Sequence, residues 1–107
     1  NYVMSEIIKQ SVLKVEKKYS THESYEEHLK HDIEPLKNDV NPYNLRRVGY
    51  HLIHIFQDKE LSKEIFEHAI EIAESEEDMI DVISDITFLD EEWAKELQET
   101  YEVDINN

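Results

Sequence analysis

The chain contains no cysteine, one glycine and two prolines. Without cysteine it has no disulfide framework, no thiolate metal site and no thiol nucleophile. So little glycine and proline leaves little material for tight turns, which argues against an all-β fold with its many sharp connections. No apolar run approaches the ~18 residues that a membrane span needs. The opening residues, NYVMSEIIKQ, lack the basic start and apolar block of a secretory signal. The first residue is Asn1 rather than Met, which fits a trimmed chain or a segment of a longer one, with Met4 as a candidate start. A glycine-rich phosphate loop, a serine in a Gly-flanked elbow and a His-Glu-x-x-His pattern are all missing. These absences predict a non-enzymatic protein without a cofactor, located in the cytoplasm.

What the chain does have is acid. The net charge is −15, and its placement tells more than its size. Residues 1–57 carry eight acids against eight Lys or Arg, whereas residues 58–107 carry eighteen acids against three Lys. The whole surplus therefore sits in the second half. Such a surface repels nucleic-acid phosphates and anionic membranes, and steers a basic partner toward itself. The plainer role of acidic charge is to keep a small protein in solution.

Apolar residues recur at helical spacing almost throughout. Met4, Ile7, Ile8, Val12, Val15 and Tyr19 trace one face of a first helix. Ser24 and Glu27 stand at capping-box spacing before a second, which carries Tyr25, Leu29, Ile33 and Leu36 and should kink or end near Pro35. Asn41 and Pro42 open a third, with Leu45, Val48, Leu52, Ile55 and Phe56 inward. Gly49 lies inside it at a cost of ~1 kcal/mol, which predicts a close neighbouring helix. Asp58 caps a fourth helix with the stripe Leu61, Ile65, Ala69, Ile72 and Ala73. Ser75 and Asp78 start a fifth, with Met79, Ile80, Val82, Ile83 and Ile86. The stretch TFL turns the chain, and Asp90 caps a sixth with Trp93, Leu97 and Tyr101. The tail VDINN should fray. The expected fold is a single all-α domain of about six short helices. They pair as three antiparallel hairpins, approximately 3–36, 42–74 and 76–103, stacked as a solenoid or gathered into a compact bundle.

The stretch QDKELSKEIFE at residues 57–67 is echoed by LDEEWAKELQE at residues 89–99, with a fainter copy at residues 24–34. The offsets give a helix-pair unit of ~32–36 residues, within the range of helical repeats. The longer pattern DKELSKEIFEHAIEIAES resembles the second helix of tetratricopeptide-type and related α-solenoid units found in many bacterial proteins. The likeness covers residues 42–103 fairly well and residues 4–38 loosely, and Gly49-Tyr50 matches part of the first-helix signature. The resemblance implies stacked hairpins and a binding surface, not a reaction.

Six histidines invite a metal reading. His28 and His31 are three apart, as are His51 and His54, so each pair shares a helix face. No His has Glu three residues before it, as a di-iron bundle requires. A surface or structural role, with weak adventitious metal binding as the alternative, is the expectation. Lys37, Arg46 and Arg47 near Tyr43 and Tyr50 are too few for a phosphate-tracking stripe and should pair with acids instead. The acidic run is the richer feature. Glu74, Glu76, Glu77, Asp78, Asp81 and Asp85 look solvated, and Glu71, Glu74, Asp78, Asp81 and Asp85 fall three or four apart and form a ridge of like charge that favours a basic partner. The expected function is therefore a protein–protein interaction module whose acidic C-terminal half binds a basic protein. Immunity or antitoxin proteins that neutralise a toxin such as a nuclease, and DNA-mimicking inhibitors, are the concrete forms. A fragment of a longer helical-repeat scaffold is the alternative, and homo-oligomers stay open.

Overall fold

Apolar spacing of three and four converts into seven α-helices over residues 2–105, the residues described by the computed structural model. They are α1 (Tyr2–Tyr19), α2 (Tyr25–His28), α3 (Lys30–Leu36), α4 (Pro42–His54), α5 (Lys59–Ile72), α6 (Glu76–Ile86) and α7 (Glu91–Tyr101). The fold is all-α, 75% helical, without strands among the described residues. None of the described helices is long and apolar enough to cross a membrane.

Seven helices stand where six were expected because the second divides at Leu29, whose φ of −110° opens the turn. The bonding nearly continues through it: the Leu29 N–H reaches the Tyr25 carbonyl at 2.8 Å, and the Ile33 N–H reaches that of Leu29 at 2.9 Å. Pro35, which has no N–H and crowds the preceding turn, is followed by one more helical residue.

Local capping chemistry sets most boundaries. The side chains of Asn41, Asp58, Ser75 and Asp90 accept from the backbone N–H groups of Asn44, Leu61, Asp78 and Trp93 at 2.9–3.1 Å. Ser24 departs from the capping-box expectation. It sits in a turn (φ −88°, ψ 0°) without a side-chain cap, and its own N–H donates to His22 Nδ1 at 3.0 Å. Scarcity of glycine shows in two left-handed residues, Gln57 (φ 52°) and Glu102 (φ 55°), which end α4 and α7 without it.

The helices form a slab of 39 × 30 × 19 Å with a radius of gyration of 13.3 Å. That radius is what a compact domain of this length has, about 13 Å, and the thin dimension is roughly two helix diameters. One continuous core runs through it from Ile8, Val12 and Val15 through Leu29, Ile33 and Leu45 to Phe66, Ile83 and Ile86. Helix α1 lies antiparallel to α5, because Ser11, Lys14 and Lys18 meet His68, Glu64 and Asp58 in reverse order. Helix α4 runs alongside α6 in the same sense, with Arg46 against Asp85 and His54 against Phe88. Gly49 is where α4 and α5 approach: a Cβ there would meet Phe66 ring carbons at 2.8 Å. Ser62 on α5 donates to the Gly49 carbonyl at 2.9 Å at the same crossing.

Two expectations fail at the C-terminal end. Leu61, Ile65 and Ala69 are buried, but their echoes Trp93 and Leu97 are only half-buried and Tyr101 is exposed. Helix α7 packs chiefly on α6 and buries Ala94 instead. The tail does not simply fray either. Val103 and Ile105 pack on the core, and the N–H groups of Val103 and Ile105 reach the carbonyl and side-chain oxygen of Gln98. Asn106 and Asn107 lie outside the described residues.

Candidate interaction surface

The five carboxylates read from the sequence as a ridge do not form one row. Helix α5 ends at Ile72, and Ala73 turns extended (φ −59°, ψ 128°), so helical spacing does not carry across to α6. Glu71 closes α5, with one carboxylate oxygen 3.7 Å from His68 Nδ1. Glu74 is exposed in the link. Asp78 folds back over the start of α6: its N–H donates to Ser75 Oγ at 3.0 Å, and its carboxylate accepts from the Glu74 N–H at 3.3 Å. Asp81 is exposed. Asp85 corrects the expectation of a solvated carboxylate: it is 8% exposed and faces α4, where Arg46 Nη1 lies 3.2 Å away. Burial pushes the Asp85 carboxyl above the ordinary aspartate range, Arg46 opposes the rise, and nearby Asp81 adds to it.

Position also changes what the acids mean energetically. Glu76, Glu77 and Asp78 occupy the first turn of α6, and Glu91 and Glu92 that of α7. Negative charge there is stabilised by the unpaired N–H groups of the helix start, so it supports the fold rather than straining it. Asp81, beyond the first turn, has no such local reason. It is exposed and has no Lys or Arg at ion-pair distance among the described residues.

Beside α6, the outer face of α4 presents Tyr43, Arg46, Tyr50 and His54 at helical spacing. Arg46 lies over the Tyr43 ring, 5.5 Å from its centre, while its guanidinium also holds Asp85. Tyr50 and His54 have ring centres 4.3 Å apart, and His54 meets Phe88 edge-on at 5.3 Å. A file of rings thus crosses from α4 to the turn after α6. Phe88 is 65% exposed and Tyr50 36%. The sequence reading passed over Phe88 as part of a turn. Its spacing was the available signal: it stands three residues after Asp85 and seven after Asp81, in line with the polar face of α6.

The remaining candidates resolve into scaffold. Lys37 pairs with Glu16 at 2.6 Å and Glu34 at 3.2 Å, and Arg47 lies 4.0 Å from Asp32. Across helices, the His28 ring lies tilted near that of His51, centres 5.4 Å apart, and His51 Nδ1 is 3.5 Å from Asp32. Among the described residues no three His, Asp or Glu side chains converge as metal ligands. A serine–histidine–acid series does occur, in Ser11, His68 and Glu71, with Ser11 Oγ 2.8 Å from His68 Nε2. Ser11 and His68 are buried at the contact of α1 and α5, and Ser11 lies inside α1. Backbone N–H groups there are committed to the helix.

Compared with protein-family models, curated proteins and solved structures, the chain matches none. The class that fold and surface define is therefore stated from the molecule alone: a compact all-α protein with an acidic, ring-bearing face.

Proposed function

We propose that this chain is a non-enzymatic protein–protein interaction module whose acidic C-terminal half receives a basic protein, in the manner of immunity or antitoxin proteins that neutralise a toxin such as a nuclease. One observation carries the reading: residues 58–107 hold the entire surplus of −15. Exposed Glu74 and Asp81 have no Lys or Arg at ion-pair distance among the described residues. Uncompensated charge of one sign raises the rate of encounter with the opposite sign by about ten- to a thousandfold. Charge reversal at Glu74 and Asp81 tests it without disturbing the Asp78 cap or the Arg46–Asp85 pair. The Glu74→Lys/Asp81→Lys variant should fold normally and associate with the basic partner at least about tenfold more slowly. An unchanged association rate would sink the reading.

A second reading, a portion of a longer helical-repeat scaffold, is favoured by the outer face of α1, where Val3, Ile7 and Leu13 are exposed. Sedimentation at rising concentration checks it. Self-association abolished by Ile7→Lys supports stacking through α1, and a monomer at every concentration counts against it.

A further inference from the structure

Three rings of this protein, exposed Tyr43 and half-buried Tyr19 and Trp93, already carry a cation: Lys18 over Tyr19, Arg46 over Tyr43 and Lys63 over Trp93, at 5.4–5.5 Å. Tyr50 and Phe88 carry none among the described residues. We propose that the Tyr50–His54–Phe88 file is the anchor for an arginine side chain of the basic partner, with the exposed Asp81 carboxylate of α6 taking a second cation. The inference rests on the proposed function, since it names what the acidic face holds.

The fold gives Phe88 no packing reason to be aromatic. Its ring is 65% exposed, and what the turn uses is its backbone N–H, bonded to the Asp85 carbonyl at 3.1 Å. Exposed aromatic rings that neighbour one another are the residue type on which interfaces concentrate their binding energy. A guanidinium is planar, stacks on such rings and pairs with a carboxylate, which an ammonium does less well. Charge selects the same occupant. Asp81, exposed on α6 seven residues before Phe88, offers a carboxylate to a second cation of a basic segment. Arg46, on the same helix, is already held by Asp85 and lies over Tyr43. A second copy of this chain is disfavoured as occupant by its net charge of −15.

The test titrates the full chain at low ionic strength with blocked tetra-arginine and tetra-lysine peptides, followed by amide and aromatic-ring NMR. Tetra-arginine should shift the rings of Tyr50, His54 and Phe88 and bind about threefold tighter than tetra-lysine. Phe88→Ala should erase that preference while tetra-lysine binding stays unchanged. Equal affinity for both peptides, with ring shifts absent and Phe88→Ala without effect, overturns the anchor and leaves the acidic surface standing. Binding of neither peptide removes both. Self-association of the free chain that disappears in Phe88→Ala overturns the proposal in favour of a second copy.

Discussion

Replacing Gly49 by alanine should destabilise the protein, although an exposed helix would gain from the change. The added Cβ would stand 2.8 Å from two Phe66 ring carbons and 3.0 Å from a third. Phe66 is fully buried, so its ring has no solvent side toward which to move. Overpacking of this kind costs about 1–3 kcal/mol. Alanine recovers ~1 kcal/mol of helix propensity. The net loss is then about 1 kcal/mol, or roughly 4–8 °C in Tm for a domain of this size. Urea unfolding followed by helical circular dichroism measures it. The paired variant Gly49→Ala/Phe66→Leu isolates the contact, because the smaller side chain makes room for the methyl group. The two changes together should cost less than the sum of their separate losses. A Gly49→Ala protein as stable as the parent, or strictly additive losses, would refute the close crossing of α4 and α5.

Asp58 joins two helices: its carboxylate caps α5 and accepts from Lys18 Nζ and Tyr19 Oη, each at 2.7 Å. Asp58→Ala should cost about 1–2 kcal/mol through the lost cap, read by chemical denaturation. Burial pushes the Asp58 carboxyl up, but the bonds from Lys18, Tyr19 and the Leu61 N–H outweigh it and hold the group below the ordinary aspartate range. Its contribution is therefore present above the unfolded-state value and lost as pH falls through the folded one. Asp58→Ala should flatten the acid limb of the stability curve, and an unaltered limb would contradict the assignment. Ser11→Ala strips His68 Nε2 of its partner, while His68 Nδ1 already lacks a hydrogen bond. It should lower stability by about 1–3 kcal/mol, and a neutral result would show that water replaces the hydroxyl.

Features decided within a few residues were legible in the sequence. Asn41, Asp58, Ser75 and Asp90 cap their helices because a short polar side chain finds an N–H three residues on, whatever surrounds it. Gly49 announced a close crossing, since glycine inside a helix needs a reason. Burial was less legible. The series Leu61, Ile65, Ala69 and its echo Trp93, Leu97, Tyr101 share one spacing, yet only the first is buried, because burial depends on which helix arrives opposite. The site split the same way. Asp81 was exposed as read, but Asp85 is held by Arg46, thirty-nine residues away in the chain, and no local pattern encodes that pairing. The ring file behind Phe88 is likewise assembled by α4 and α6 meeting.

The most direct test of the account is capture of a partner on the immobilised chain, quantified at low salt and at about 0.5 M salt, where charge is screened within a few ångströms. Wild type and Glu74→Lys/Asp81→Lys are compared side by side. The account predicts a basic protein that is retained by wild type at low salt, released at high salt and not retained by the variant. A partner held equally by both proteins, or undiminished at high salt, would contradict an acidic recognition surface.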